Sequence, residues 1–322
     1  SDDDHEKFDL VWVDDGGQDF SDGETYTRTL QIPYAGNGLD PVNMTYRFYA
    51  TDGAAEATGD PVADTPLTID IEPSENSAPS LSWSVAECLD NGVRPPVGDV
   101  EAAFEFKVLY TDLDGTGPEG NGIYRSECAV DILLMLDKDN NGTYDSDEKY
   151  VLTEADPGDV DCTDGKLYET TLVLEGAVEG ELGYSFYATD SFAAATGEPT
   201  VDSTVMVYAN ALKVRPSGGA GWLTTIQAAE DSSFDGSAIL VYPNDDFTAA
   251  IYTENIEART TNLTIQAVCG PDLTIVDGGG SGVGFMLRAD NQVLDGFGVT
   301  NAGDGLYINP SPENITIKNN KI

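Results

Sequence analysis

Asn262-Leu-Thr-Ile-Gln-Ala-Val268, Asn291-Gln-Val-Leu-Asp-Gly-Phe-Gly-Val299 and Asn314-Ile-Thr-Ile-Lys-Asn-Asn-Lys-Ile322 each open on an asparagine and run on into aliphatic residues. Their starts are 29 and 23 residues apart, about one coil of a β-solenoid, in which every turn buries its apolar residues against the turn before. Between them lie Leu273-Thr-Ile-Val-Asp-Gly278, Phe285-Met-Leu287 and Gly305-Leu-Tyr-Ile308, runs too short for helices and punctuated by Gly, Asn and Asp. Upstream, Ala238-Ile-Leu-Val-Tyr-Pro243 has the same texture. Behind the turn Pro216-Ser-Gly-Gly-Ala-Gly221, the stretch Trp222 to Asp231 reads as a short capping helix. The expectation is two or three coils with Ile, Val, Leu and Phe stacked inward and asparagines laddered at the turns.

This pattern resembles the opening of pectate-lyase-like right-handed parallel β-helix domains, including their N-terminal cap, and the resemblance implies that fold for 211–322. Carbohydrate-active members of that group work through clustered acids with an Arg or Lys base, or through several Asp residues. The residues of those types here are Asp277, Asp290, Asp295, Asp304, Arg288 and Lys318. Asp277, Asp295 and Asp304 all precede glycine, which suits solenoid turns. Catalytic sites of the group sit on middle coils, so no catalytic residue is expected in this chain.

Earlier in the chain, Tyr46 to Pro61 and Tyr184 to Pro199 agree at 11 of 16 positions, an internal repeat that extends back through Gln18 to Ile32 and Val160 to Leu174. Seven apolar runs occupy 81–85, 102–111, 129–136, 149–152, 167–174, 184–190 and 204–209. Phe104, Phe106, Val108 and Tyr110 alternate with polar or smaller neighbours, as in a strand with one buried face. These runs resemble the Ig-like or fibronectin-like β-sandwich modules of microbial surface proteins, which implies presentation rather than chemistry. The expected architecture is all-β: an incomplete Ig-like sandwich over 1–75, a complete one over 76–210, and the β-helix over 211–322. The first copy lacks counterparts of Pro79 to Lys149 and is read as truncated, or as completed by a neighbouring subunit.

The chain carries 58 Asp and Glu against 15 Lys and Arg, a net charge of −43, which excludes a nucleic-acid binder. No run of 18 apolar residues could cross a bilayer, and the acidic opening Ser-Asp-Asp-Asp-His-Glu-Lys is no leader peptide, so the start is expected to be mature or truncated. Such self-repulsion points to a salty or calcium-containing exterior, hence an extracellular or cell-surface location.

The sharpest motif is Asp137-Lys-Asp139-Asn-Asn141-Gly142-Thr143-Tyr-Asp145-Ser-Asp-Glu148, which satisfies D-x-[DN]-x-[DN]-G-x5-E at every position. Hard oxygens at alternating positions wrap Ca²⁺, Gly142 permits the sharp turn, and Glu148 closes the shell. The expected ligands are Asp137, Asp139, Asn141, Thr143, Asp145 and Glu148. The flanks read as strands, making this an EF-like loop in a β-hairpin.

Weaker acidic groups are Asp112 with Asp114 and Glu119, and the pairs Asp19/Asp22 and Asp161/Asp164, which precede glycine as turns do. His5 has no nucleophile context. Of the four cysteines, Cys88, Cys128 and Cys162 offer one disulfide whose pairing stays open, and Cys269 is expected as a free thiol facing the solenoid core. Asn43, Asn141, Asn262 and Asn314 begin N-x-[ST] sequons.

The expected function is an extracellular structural protein of a cell-surface layer, stalk or filament, adhesive and rigidified by Ca²⁺. Its partners would be copies of itself and surface polysaccharide. The alternative is a polysaccharide lyase or hydrolase, or a polysaccharide-binding protein, whose active coils lie beyond this segment.

Overall fold

The computed structural model describes residues 9–12, 26–27, 42–46, 48–58, 67–71, 77–113, 131–190 and 193–322. The chain forms two compact units, Ser1–Glu75 with Asn121–Tyr124, and Asn76–Gly120 with Arg125–Ile322. The fold is all-β and includes a solenoid of about four turns in residues 211–318.

In the first unit Val11–Trp12 pairs antiparallel with Tyr26–Thr27, and Val42–Tyr46 with Leu67–Ile71. The sequence repeat recurs here as a hydrogen-bonded loop. Thr51 bridges Glu56 as Thr189 bridges Ala194. Asp52 Oδ1 accepts the Ala55 N–H at 2.8 Å, and Asp190 Oδ1 accepts the Ala193 N–H at 2.7 Å. A short carboxylate that satisfies a backbone donor three residues on is what closes this turn in both copies. Gly197 in the second copy has φ +117°, and an added Cβ would lie 2.0 Å from the Leu81 carbonyl oxygen, so only glycine fits there.

Among its described residues the second unit begins with two five-stranded sheets. One runs Thr153–Glu154, Lys166–Val173, Ala103–Thr111, Ser80–Trp83, with Val93–Arg94 also on Ala103–Thr111. The other runs Lys149–Val151, Asp131–Leu136, Gly180–Thr189, Ser203–Tyr208, Val97–Asp99, antiparallel except for its last pair. Phe104, Phe106, Val108 and Tyr110 from the first sheet share one buried core with Leu134, Leu136, Leu182, Tyr184, Phe186 and Val205 from the second. Burying each of these large side chains contributes about 1.5–3 kcal/mol. Tyr184 meets Phe106 edge to face at 5.4 Å and donates its hydroxyl to the Asn91 carbonyl at 2.7 Å, so its polar end is satisfied.

Among the described residues, ten strands form where seven apolar runs were read. The additional Val93–Arg94, Val97–Asp99 and Thr153–Glu154 are two or three residues long, too short to show alternation, and the first two flank Pro95 and Pro96.

The solenoid is built of three parallel sheets. In the longest, Leu212, Ile239, Ile265, Leu294 and Ile317 stand in register, each one turn beyond the last. Corner residues Asn262, Asn291 and Asn314 have φ of 53°, 57° and 57°, the left-handed region that asparagine tolerates better than most residues. Asn314 Nδ2 donates to Asn291 Oδ1 at 3.0 Å, one rung of the expected ladder, whereas Asn262 donates to Asp235 Oδ1 at 2.6 Å. The structure corrects the expected two or three coils to about four. Its first coil is marked by the short strands Ala211–Val214 and Trp222–Leu223 and by the helix Ile226–Asp231, which is shorter than the 222–231 expected, so its period is invisible in sequence.

The helix Ile226–Asp231 closes the base of the solenoid with its side chains. Gln227 Oε1 accepts the Glu257 N–H at 2.7 Å, and Glu230 Oε1 accepts the Arg259 and Thr260 N–H groups at 2.6 and 3.0 Å. These donors belong to the strand Ile256–Ala258 and the residues after it, which begin their sheet, so a lower coil that would pair with them is replaced by helix side chains. Glu230→Ala strands two backbone donors and is expected to cost roughly 1–3 kcal/mol. Denaturant unfolding together with hydrogen exchange at Arg259 and Thr260 checks this; unchanged protection at both amides would show that Glu230 is dispensable.

The two parts of the second unit are joined directly. Val97 packs with Leu240 and Val268. Lys213 Nζ sits 2.6 Å from Asp99 Oδ2, and Arg94 lies 4.4 Å over the Phe247 ring. Cys88 and Cys269 form a disulfide with Cα atoms 4.8 Å apart. Cys269 is therefore not the free core-facing thiol expected from sequence. Ile265 and Ala267 point into the solenoid, and the chain then leaves the strand so that Val268 and Cys269 face the other part. Cys162 is also disulfide-bonded.

Candidate metal centre

The motif 137–148 connects two antiparallel strands, Asp131–Leu136 and Lys149–Val151, paired as Met135 with Lys149 and Leu134 with Tyr150. It is a hairpin connection, not a helix-loop-helix. Leu134 and Leu136 anchor its first strand in the core. The Asp137 N–H donates to the Gly183 carbonyl at 2.8 Å and the Val178 N–H to the Lys138 carbonyl at 3.0 Å, which tie the loop base to neighbouring backbone.

Within the loop the backbone folds around the carboxylates. Asp137 accepts from the Asn141 and Gly142 N–H groups at 3.0 and 2.8 Å. Glu148 arrives through the 3-10 turn Ser146–Glu148 and accepts from the Lys138 and Asp145 N–H groups at 2.7 and 3.0 Å. Gly142 has φ +81° with open space around it, so glycine is required there by backbone conformation alone.

The structure brings Asp137, Asp139 and Glu148 together, with one oxygen from each lying within 4.8 Å of the others. Asp137 and Glu148 are only 5 % and 3 % exposed. Among the described residues, no Lys or Arg forms an ion pair with any of the three. The neighbouring Lys138 ammonium instead lies 5.8 Å over the Tyr150 ring, and its hydrogen bond to Tyr150 chiefly holds its pKa up. Three carboxylates this close, two of them buried, repel one another unless a cation joins them.

The other expected ligands stand differently. Asp145 lies outside the carboxylate group. Asn141 Oδ1 accepts from the Thr143 N–H and hydroxyl at 2.8 and 2.6 Å, and both residues are exposed. One contact has no sequence signal. Tyr144, inside the loop, donates to Asp202 Oδ1 at 2.6 Å, 58 residues away; burial and this hydrogen bond push its phenol up to about 12.

The acids considered for carbohydrate chemistry do not converge. Asp277, Asp295 and Asp304 lie on three different sheets of the solenoid. Asp277 accepts from Asn301, and Asp290 from the Glu313 N–H. Arg288 pairs with Glu257. Only Asp295 and Lys318 meet, at 3.4 Å. Asp112 accepts the Tyr110 hydroxyl at 3.1 Å, and Asp161 caps its own turn through Thr163. Asp114, Glu119, Asp19, Asp22, Cys128 and His5 lie outside the described residues. No helix among the described residues is long and apolar enough to cross a membrane.

Comparison with protein-family models and with curated proteins found no match, so the all-β architecture and its carboxylate-lined hairpin loop are what characterise the chain.

Proposed function

We propose that this chain is an extracellular structural protein of a cell-surface layer, stalk or filament, adhesive in use, stiffened by Ca²⁺ and assembling with copies of itself. In this reading the two-sheet part is an Ig-like module and the solenoid a right-handed β-helix of the pectate-lyase type. The observation that carries it is the convergence of Asp137, Asp139 and Glu148, two of them buried, at the end of a core hairpin. The donor set is all hard oxygen, which suits calcium rather than a transition metal. Asp137, Asp139 and Glu148 would hold the ion with their carboxylates, Asn141 with its side chain, Thr143 with its carbonyl and Asp145 through a water. When bound, the ion neutralises the carboxylates and ties the hairpin loop into one unit.

Two further observations support an exterior location: disulfides at Cys88–Cys269 and at Cys162, which persist in oxidising compartments, and a net charge of −43 that divalent ions would screen. The proposal is tested by sedimentation and negative-stain imaging with calcium and with chelator. Ordered calcium-dependent assemblies are expected. A monomer indifferent to chelator would overturn the reading, and if it degraded or bound polysaccharide the carbohydrate-active alternative would replace it.

A further inference from the structure

We propose that the Cys88–Cys269 bridge is a reducible mechanical staple that carries tension around the two-sheet part and the base of the solenoid, so that this region cannot be drawn out while the bridge is intact. The significance of the staple rests on the structural function proposed above, although its operation does not.

The argument is topological. The two cysteines are 181 residues apart in sequence and directly bonded. Among the described residues, the covalent ring encloses nine of the ten strands of the two-sheet part, Ser80–Trp83 alone lying outside it. It also encloses the candidate metal loop, the capping helix and the solenoid strands as far as Thr264–Ala267. A pull that enters before Cys88 and leaves after Cys269 crosses the ring through one S–S bond. Everything between is out of the line of force.

Contacts beside the bridge hold its two ends together at rest. Lys213 pairs with Asp99 across the same junction, and Val97 packs on Leu240 and Val268. Without the bridge these contacts and the strand ladders would bear the load themselves. Those outside the ring would yield first in either case: the edge strand Ser80–Trp83 and the coils from Thr274–Asp277 onward.

The staple can also be opened chemically. Cys88 and Cys269 are half-buried, and Cys88 lies on a loop whose Val85 and Glu87 are exposed. A dithiol reductant supplies two electrons and two protons, converts the bridge to two thiols and closes to its own disulfide. The chain then changes from a short tether to a long one.

The experiment is force spectroscopy on the full chain held at its two ends, stretched to its final length with and without dithiothreitol. Opening the ring releases 181 residues, which at about 3.3–3.6 Å each adds roughly 600 Å. In the Cys88→Ser/Cys269→Ser variant, the gain on reduction should shrink to what the Cys162 bridge alone encloses. Equal final lengths of the native chain with and without reductant would overturn the proposal, as would a double variant that still gains the full 600 Å or so. Because final length needs neither calcium nor assembly, a protein that fails to assemble but shows the gain would sink the proposed function and leave the staple standing.

Discussion

Saturating calcium is expected to raise the unfolding midpoint of the unit that contains the 137–148 loop by roughly 5–10 °C, and Glu148→Gln is expected to abolish that rise. Calcium at about 100 times its dissociation constant contributes about 2.7 kcal/mol, and for a unit of this size each kcal/mol is worth about 2–4 °C. Glu148 is the informative position because it is buried, closes the group with Asp137 and Asp139, and fixes the turn at the loop's end through the Lys138 and Asp145 N–H groups. Glutamine keeps the shape and one acceptor but removes a negative charge. Without calcium the variant should therefore differ from the native protein by no more than about 1 kcal/mol, since relief of repulsion offsets the lost charge-assisted bond. Asp156→Asn, in an exposed turn of the same unit, should keep the full calcium response. Calorimetry of the three proteins with calcium and with chelator decides the matter. Superimposable native transitions in the two buffers, or a calcium response that survives in Glu148→Gln, would remove calcium from this loop.

The second large effect is expected at the junction. Asp99 is 4 % exposed; its Oδ2 faces Lys213 Nζ at 2.6 Å, and its Oδ1 has no protein hydrogen-bond partner. Burial disfavours the Lys213 ammonium, but hydrogen bonds to Asp99 and Glu101 outweigh it and the pKa is raised. Lys213→Met leaves the Asp99 carboxylate buried without its cation and should cost about 3–5 kcal/mol. The double change Lys213→Met/Asp99→Leu removes both charges and should recover most of that loss, because an apolar pair suits a site beside Val97 and Leu240. Urea unfolding of the single and double variants measures the difference. If the double variant is as unstable as the single one, packing rather than charge governs the junction.

Much of this architecture is written locally. The 29- and 23-residue recurrence of asparagine before aliphatic runs is enough for a solenoid, because each coil repeats the same demand: a residue that tolerates left-handed φ at the corner, then inward apolar side chains. The alternation through Phe104, Phe106, Val108 and Tyr110 predicts a strand with one buried face, and all four side chains are in the core. The 137–148 spacing is equally local: alternating oxygens and one glycine can wrap a cation whatever the flanks, and the flanks' apolar runs already point to strands.

What sequence leaves open is what depends on which surfaces meet. Strands of two or three residues such as Val97–Asp99 exist because a long neighbour offers them a ladder, not because of their own pattern. Gln227 and Glu230 look like ordinary helix polar residues until the strand they cap is in place. Cys269 is apolar in context and reads as core. Only docking of the two parts brings it against Cys88, 181 residues earlier, just as docking brings Lys213 to Asp99. Periodicity and short-range ligand spacing are properties of adjacent residues and survive in a bare sequence. Long-range pairing depends on the relative placement of whole sheets, which packing of the buried faces decides.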